Sequence, residues 1–481
     1  MYTSPSVWNV TGASSLQHYY PLFVLAIAGF VILFLGTLRN SRRVFASITF
    51  GALILAALMI ASDYNAGIIV PAYRINSFTT FFAILFIISG LIITYPALKS
   101  IRKKGEVFYA LLLFVTVGML IAAFSYNLIV IFVAFEAVSI GTYLMTGFSR
   151  SRRALESSVK YYFVGVLSTS FIIFGLAYYF FYFGTFNLVG SSALQANSTA
   201  GLVSLAFLVA GFGFKMALFP MHQWALDTYD GAENSVSAFL STGSKLVSFV
   251  IILKLFLVGF SSIHQYVFYF FLIISIASMT YANIAALSQK KVKRILAYSS
   301  VAQAGYLILA LVVVSFTTSA TTISYAVAAA MYYSLVYLFM KSGSFLAVDV
   351  AGKDDATLED LSGLGKRSPT TAASFSILLL ALAGVPLTGG FLAKFYLFLS
   401  VIQGNLWWLA VIAVINSTIS VFYYLRIMVY MYARPPKEND TFVLSYKMKV
   451  PVYITAAITL ALGLWYPVFN WILTLSGGLF W

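Results

Sequence analysis

Seven charged side chains stand inside apolar stretches of this 481-residue sequence. A charge at the centre of a membrane helix costs roughly 2.5–3.5 kcal/mol on insertion, so such residues usually face a partner charge or a hydrated cavity. They are one glutamate and six basic residues: Glu136, Lys215, Lys245, Lys254, Lys341, Lys394 and Arg426. Because carboxylates and amines bind and release protons, the chemistry that these residues could perform is proton exchange.

Glu136, Lys215, Lys245 and Lys394 form the strongest group of candidates. Burial lowers the pKa of a lysine, whereas a neighbouring carboxylate raises it again. A lysine whose carboxylate partner approaches or retreats is therefore a proton switch. The alternative is a buried structural ion pair, but one glutamate neutralises at most one of these three lysines and leaves two unpaired.

Four further residues have plain structural interpretations beside a functional one. Lys254 and Arg426 lie toward the ends of long apolar runs. At such positions the sequence is as consistent with side chains that snorkel to the membrane interface as with functional ones. Lys341 is consistent with a contact to the lipid interface or to a partner subunit as well as with proton transfer. His222 follows a proline. The sequence is as consistent with a hydrogen-bonded structural histidine at a helix end as with a proton-relay role.

The composition predicts an all-α polytopic membrane protein. Hydrophobic residues make up 61% of the chain and charged residues 9%, whereas soluble domains carry about 25% charged residues. Since a span needs about 20 apolar residues, we expect about fourteen transmembrane helices. They are predicted at 21–38, 44–62, 77–98, 107–124, 126–147, 161–184, 201–228, 234–260, 265–286, 293–315, 320–348, 370–402, 405–432 and 450–471.

The basic residues behind the net charge of +15 lie mainly in the loops after odd-numbered spans. Examples of these clusters are Arg39, Arg42 and Arg43; Lys99, Arg102, Lys103 and Lys104; Arg150, Arg152 and Arg153; and Lys290, Lys291, Lys293 and Arg294. Loops after even-numbered spans hold almost none, and Arg74 is the main exception. This alternation predicts both termini on the outer side and reflects topology and anionic lipid contact, not nucleic-acid binding. The loop after span seven is acidic instead, but acidic residues contribute little to this rule.

Two of the predicted spans carry helix breakers. Pro220 ends the apolar part of span seven, and span twelve contains Pro386, Gly389 and Gly390. Interrupted helices in matching positions are typical of inverted repeats in transporters. We therefore expect broken helices 7 and 12 and two inverted five-helix repeats, at about 107–260 and 265–432, within one membrane domain that covers residues 1–481.

Several function classes are excluded or disfavoured by what the sequence lacks. The chain has no cysteine, so disulfides, cysteine-ligated iron–sulfur clusters and thiol catalysis are excluded. The sequence contains no metal-ligand spacing, phosphate-binding loop or dinucleotide-binding glycine pattern. We therefore expect neither a cofactor nor a metal on this chain.

Three motifs carry a resemblance to a known family. Residues 213–245 (GFKMALFPMHQWALDTYDGAENSVSAFLSTGSK) resemble the span-seven-to-eight block of the antiporter-like subunits of respiratory complex I, especially subunit N. Residues 289–309 resemble the next signature of that family, and residues 380–398 resemble its twelfth-helix block. The order and spacing agree from about residue 107 to 432.

The resemblance implies a role for each candidate. Glu136 and Lys215 match the glutamate and lysine whose separation is thought to drive proton movement, and Lys245 matches the lysine that links the two halves. Lys394 matches the lysine near the outlet, where relatives of the M kind carry a glutamate. His222, Lys254 and Lys341 are possible further members of this relay, and Lys341 stands where N-type relatives often have a neutral residue.

The implied function is that of a proton-translocating membrane subunit of a redox-driven, complex I-like quinone oxidoreductase in an energy-transducing membrane. Other membrane and peripheral subunits would be its partners, and those subunits would carry iron–sulfur clusters and bind quinone. The alternatives are a subunit of a multi-subunit sodium/proton antiporter or membrane-bound hydrogenase, a non-transporting membrane scaffold, and an ordinary solute carrier.

Overall fold

The computed structural model describes most of the chain. The described residues are 16–38, 41–63, 67–70, 72–101, 104–190, 199–260, 267–351, 355–436 and 446–477. The predicted loop residues Arg39, Arg102 and Lys103 lie outside them.

Helices dominate these residues. The first ones are α1 (Tyr20–Leu38), α2 (Arg42–Ser62), α3 (Ser77–Thr94), α4 (Ala97–Ser100), α5 (Gly105–Phe124), α6 (Leu128–Thr146), α7 (Arg152–Phe183), α8 (Thr199–Lys215), α9 (Gln223–Gly231) and α10 (Asn234–Phe239). They are followed by α11 (Lys245–Lys254), α12 (Phe268–Leu287), α13 (Val292–Phe316), α14 (Ala320–Ala347), α15 (Leu364–Arg367), α16 (Pro369–Ala383), α17 (Gly389–Gln403), α18 (Trp407–Ala433), α19 (Tyr446–Leu464) and α20 (Pro467–Ser476). Two π-helical turns, Leu240–Ser244 and Leu255–Gly259, flank α11, and 3₁₀ turns occupy Leu16–Tyr19, Val348–Ala351 and Leu358–Leu361.

The described residues contain eleven helices that are long and apolar enough to cross a membrane, or twelve when one bent pair counts as a span. The predicted fourteenth span is that bent pair: α19 and α20 meet at 86° instead of forming one straight helix. Pro467 opens α20 and cannot continue the hydrogen bonds of α19, which accounts for the bend. The count of fourteen crossings stays a prediction.

Predicted spans seven and twelve each consist of two shorter helices. Helix α8 ends at Lys215 and α9 begins at Gln223, with Pro220 in the intervening segment. Helix α16 ends at Ala383, and α17 begins at Gly389, after Pro386. Gly384 (φ 87°) ends α16 in the left-handed conformation that a glycine adopts without strain.

A small β-hairpin is the exception to the predicted all-α class. Strand β1 (Gly67–Val70) pairs antiparallel with β2 (Tyr73–Ile75) between α2 and α3. Tyr73 also forms a bridge with Ser125, at the end of α5. The prediction missed this hairpin because four apolar residues are too few to be told from a helix fragment by hydrophobicity.

The most buried helices lie at the centre of the bundle. The apolar window of Asn234–Gly259, which includes α11, is 100% buried, and that of α13 is 94% buried. The corresponding values are 28% for the first helix and 33% for α7, which have apolar side chains free to face lipid or partner subunits. The candidate lysines on α11, and those on the helices that pack against α13, therefore lie in the interior of the bundle.

The acidic loop after span seven has a structural explanation. Asp227 forms an ion pair with Arg294 at 2.7 Å, and Asp230 pairs with Arg153 and lies 3.6 Å from Lys291. The carboxylates at the end of α9 therefore neutralise basic residues at the start of α7 and of α13. This network joins the regions of the two predicted repeats at the basic side of the bundle.

Candidate functional site: a row of buried lysines

Lys215 is the last residue of α8, at the break. Its Nζ donates to the hydroxyls of Ser139 (2.8 Å) and Thr142 (3.4 Å) on α6. Aromatic rings surround the same atom, with centroids 4.9 Å away for Tyr143 and 5.1 Å away for Tyr161. The amine, which is 1% exposed, is thus held by neutral oxygen atoms and ring faces.

Glu136 lies one turn before Ser139 on α6, and therefore on the same side of that helix. Its Oε1 accepts a hydrogen bond from Thr169 on α7 at 2.9 Å. Within the described residues, Glu136 and Lys215 form no ion pair within 4.0 Å. The structure therefore brings the two together without direct contact: each is bound to hydroxyl groups.

The break after Lys215 is stabilised by side chains. Proline at position 220 has no N–H to donate, and the Phe219 N–H donates to the Ser278 hydroxyl on α12 at 3.0 Å. The Trp224 indole N–H donates to the Phe214 carbonyl at 2.8 Å, which satisfies an oxygen at the end of α8. His222 is 1% exposed, and neither of its ring nitrogens has a hydrogen-bond partner among the described residues.

Lys245 is the first residue of α11, directly after a π-helical turn. Its Nζ donates to the carbonyl (2.7 Å) and the hydroxyl (2.8 Å) of Ser300 on α13. The Ser300 hydroxyl is 2.8 Å from the Tyr337 hydroxyl of α14, which donates to the Ser241 carbonyl. Lys245 thus belongs to a hydrogen-bonded group that joins α11 and the π-helical turn before it to α13 and α14.

Lys341 is fully buried on α14, so the predicted contact with the lipid interface or a partner subunit is wrong. The cause is that α14 runs through the interior, packed against α13. Its Nζ donates to the Leu296 carbonyl (2.5 Å) and to the Ser299 hydroxyl (2.9 Å), both on α13. Ser299 lies 2.5 Å from the Tyr424 hydroxyl on α18.

Lys394 on α17 reaches back to the C-terminus of α16. Its Nζ donates to the carbonyls of Leu382 (3.0 Å) and Ala383 (2.9 Å) and to the Ser417 hydroxyl (2.9 Å). Unpaired carbonyls at a helix C-terminus carry partial negative charge, so this end of a broken helix stabilises a cation. An open cleft of about 430 Å³ between α17 and α18 reaches this lysine.

Gln303 connects Lys394 with the other lysines. Its amide donates to the Leu382 carbonyl at 3.1 Å, the same oxygen that Lys394 contacts. Its Oε1 accepts a hydrogen bond from Tyr333 on α14. Gln303 follows Ser299 and Ser300 by one turn, so one face of α13 touches Lys341, Lys245 and the environment of Lys394.

The sequence interpretation missed these three residues of α13. The signal was present as SSVAQ within an apolar helix, at positions 299–303. Serines in membrane helices commonly bond to their own backbone, so the letters alone do not identify a polar face.

Lys254 is fully buried, so the predicted snorkelling is wrong. Its Nζ donates to three carbonyls at the end of α5, those of Ala122 (2.7 Å), Ala123 (2.9 Å) and Ser125 (2.7 Å). Because α11 packs against α5, the Lys254 amine lies beside these helix-end oxygens and not at the membrane interface.

Arg426 has a comparable capping role at the other side of the bundle. Its guanidinium donates to the carbonyls of Leu287 and Gln289, each at 2.5 Å, at the end of α12.

Among the described residues, no group of three His, Asp or Glu side chains could hold a metal ion.

These features define a polytopic helical membrane protein that buries a row of lysines between two broken helices. Residues 125–420 match the family model described as NADH:quinone oxidoreductase/Mrp antiporter, TM. The chain belongs to this family and is an integral membrane protein.

Individual relatives match nearly the whole chain. F(420)H(2) dehydrogenase subunit N of Methanosarcina mazei is 34% identical, over 94% of this chain and 96% of that protein. NADH-quinone oxidoreductase subunit N 1 of Solibacter usitatus is 36% identical, over 93% and 94%. A chain in the solved structure of respiratory complex I from Thermus thermophilus with bound aureothin superposes with a TM-score of 0.81 at 27% identity, over 94% of this chain and 98% of that one.

Proposed function

We propose that this chain is a proton-translocating membrane subunit of a redox-driven, complex I-like quinone oxidoreductase. The observation that carries the proposal is the polar face of α13, to which Lys245 and Lys341 bind directly and Lys394 through a shared carbonyl. The family membership and the names of the relatives support the same function.

Glu136 and Lys215 form the first switch of the proposed relay. Opposite charges 4 Å apart interact by about 4 kcal/mol at an effective dielectric of 20. Moving one charge against 100 mV takes about 2.3 kcal/mol, so a change in the separation of this pair has sufficient magnitude. When Glu136 turns toward Lys215, the ammonium is stabilised; when it returns to Thr169, Lys215 can release its proton.

The proton next passes to Lys245, and then along α13. Serine hydroxyls both donate and accept hydrogen bonds, so Ser299 and Ser300 can serve an amine in either protonation state. Lys341 is an additional acceptor beside Lys245, because the two lysines bind to adjacent serines. Tyr161 lies between the two groups: its ring faces Lys215, and its side chain reaches both Thr142 and Ser244, the residue before Lys245. Within the described residues the two lysines do not hydrogen-bond to each other, so the transfer passes through such an intermediate group or a bridging water.

Lys394 is the last lysine of the proposed relay. The cleft between α17 and α18 that reaches it would be its route of release toward the outer side. His222, buried at the first break, is a candidate for proton entry to Lys215. The hydrogen-bond acceptors of Lys254 are all carbonyls, which cannot donate to a neutral amine, so we assign it a structural role outside the relay.

Protons suit this set of residues better than sodium ions. Sodium requires several oxygen ligands, whereas a protonated lysine offers only N–H donors and repels a cation. Four of the five groups proposed for the relay are lysines. Sodium-independent pumping would support this choice, and a strict sodium requirement would favour the antiporter alternative.

The finer architecture belongs to the same proposal. We infer fourteen crossings, with both termini on the outer side, and two inverted repeats at about 107–260 and 265–432. The two broken helices, each with a buried lysine at its break, support the repeats. The carboxylates of α9 that face the basic starts of α7 and α13 support one common basic side.

Electron transfer would take place on partner subunits. This chain would act as part of a donor:quinone oxidoreductase without its own redox centre, while peripheral and membrane partners would hold iron–sulfur clusters and bind quinone. The exposed apolar faces of the outer helices are available to lipid and to such partners in an energy-transducing membrane.

The experiment that tests this function measures protons pumped per electron by the assembled complex in vesicles, with Lys215→Ala or Glu136→Ala. We expect the ratio to fall by the contribution of this subunit while electron transfer continues. An unchanged ratio in both variants would rule out the proposed switch.

A further inference from the structure

Arg74 is the basic residue that departs from the charge pattern of the loops. It lies on β2, at the opposite end of α5 from the basic loop that contains Lys104. Within the described residues it has no carboxylate within 4.0 Å. Its Nε is buried and has no hydrogen-bond partner. A buried, unpaired guanidinium nitrogen is costly, and the structure must compensate for it in another way.

Two further donors without partners accompany Arg74. Asn76 is 6% exposed and Tyr126 is 1% exposed, and neither the Asn76 amide nitrogen nor the Tyr126 hydroxyl is hydrogen-bonded. The Asn76 Oδ1 accepts from the Thr79 N–H at 2.9 Å as the N-cap of α3, which leaves the amide nitrogen directed away from that helix.

The three side chains converge. Arg74 and Asn76 are two positions apart in extended chain and so point to the same side. The Arg74 guanidinium carbon lies 5.4 Å from the centroid of the Tyr126 ring, and the Tyr126 N–H is tied to the Ala72 carbonyl. The Asn76 side chain and the Arg74 guanidinium both lie close to the Tyr126 hydroxyl.

The electrostatic surroundings favour an anion. Lys254 lies 5.0 Å from the centroid of the same ring, so two cations flank Tyr126. Burial raises the pKa of neighbouring Tyr73, and Tyr19 and Asp63 raise it further, but the Asp63 carboxylate is already paired with His18 at 2.9 Å. Positive charge and N–H and O–H donors therefore dominate this place.

We propose that Arg74, Asn76 and Tyr126 form a binding site for a phosphate-class oxyanion. A guanidinium with adjacent N–H and O–H donors matches the charge and acceptor geometry of such an anion. The site lies where α3 begins and α5 ends, which is the level of lipid headgroups. The phosphate could therefore belong to an anionic phospholipid or be free in solution. This site is independent of the lysine relay.

The test uses the full chain, delipidated in detergent, and follows its thermal unfolding. Phosphatidylglycerol, phosphatidylcholine and inorganic phosphate are added in separate series. We expect phosphatidylglycerol or inorganic phosphate to raise Tm in a saturable way, and Arg74→Gln to weaken the apparent affinity about tenfold or more. Stabilisation by phosphatidylglycerol alone identifies a lipid headgroup, whereas stabilisation by inorganic phosphate identifies a free anion.

Arg434→Gln is the matched control, because Arg434 also stacks on a tyrosine (Tyr430, 5.4 Å) but has exposed surroundings. Tyr126→Phe, which removes only a hydroxyl, tests the site without removing a charge and should also weaken binding. If no additive stabilises the unsubstituted chain, or if Arg74→Gln and Arg434→Gln respond alike, the groups bind only water and the proposal is wrong.

Discussion

The acceptors around each buried lysine distinguish two kinds of residue. Lys254 donates to three carbonyls, which accept from the amine but cannot donate to its lone pair when it is neutral. Lys215 donates to two hydroxyls, which can also donate in return to a neutral amine. Lys245, Lys341 and Lys394 each contact at least one hydroxyl. At the residue scale, the relay lysines are thus distinguished by hydroxyl partners, since burial is common to all five.

Replacement of Lys254 by methionine should affect stability and leave pumping intact. The change leaves three buried carbonyls at the end of α5 without a donor, each at a cost of about 1–3 kcal/mol. We expect a clearly lower Tm of the purified protein and an unchanged proton-to-electron ratio in the complex that does assemble. Unchanged stability together with reduced pumping would place Lys254 in the relay instead.

Ser300→Ala should slow pumping, because Lys245 loses its hydroxyl partner and Tyr337 loses its link to that lysine. A lost hydrogen bond of this kind corresponds to about tenfold in rate, and Ser300→Thr should restore most of it. Ser315→Ala is the control, since that buried hydroxyl on α13 bonds only to the Val312 carbonyl of its own helix. Equal effects of the two alanine variants would contradict a role for Ser300.

At the element scale, the broken helices depend on close backbone contacts. A Cβ on Gly390 would overlap the carbonyl oxygen of Ala381, so α17 can pass the end of α16 only with glycine there. This close approach places Lys394 beside the carbonyls that it contacts.

Gly390→Ala should therefore displace α17 from α16 and lower both Tm and pumping. Gly51→Ala on α2 is the matched control, because its Cβ would meet nothing within 4 Å and alanine favours helix by about 1 kcal/mol. Thermal unfolding of both purified variants distinguishes them, and equal stability of the two would contradict the packing described at the break.

The sequence predicted the type of an element where its length and composition determine that type. It did not predict how the elements contact one another. Apolar runs predicted helices such as α13, and Pro220 and Pro386 predicted the two interruptions. The π-helical turns around α11 and the contacts of Ser300 with Lys245 depend on how helices pack, which no local pattern contains. For the same reason, the family resemblance implied that Glu136 and Lys215 form a pair, but no local pattern indicated that each would bind to hydroxyl groups instead of to the other.

At the scale of the whole molecule, the two predicted halves meet at the basic side through Asp230. This carboxylate, on α9, pairs with Arg153 at the start of α7 and approaches Lys291 before α13. It thereby holds α9, the helix after the first break, against α13, the helix whose polar face contacts the lysines.

Asp230→Asn should weaken this junction. Loss of charge-assisted contacts at a largely buried carboxylate corresponds to about 1.5–3 kcal/mol, so we expect a lower Tm and a weaker coupling between electron transfer and pumping. Glu156→Gln breaks only an exposed pair with Lys160 on one helix and should change Tm little. Similar behaviour of the two variants would show that the junction does not hold the halves together.

The central claim, that interior lysines release and rebind protons, is tested most directly by fixing their charge. Arginine keeps the positive charge but does not deprotonate in proteins. Lys245→Arg and Lys254→Arg would be compared in the assembled complex, in vesicles, by protons pumped per electron. The relay predicts a loss of this subunit's contribution for Lys245→Arg and a normal ratio for Lys254→Arg, and a normal ratio for Lys245→Arg would contradict it.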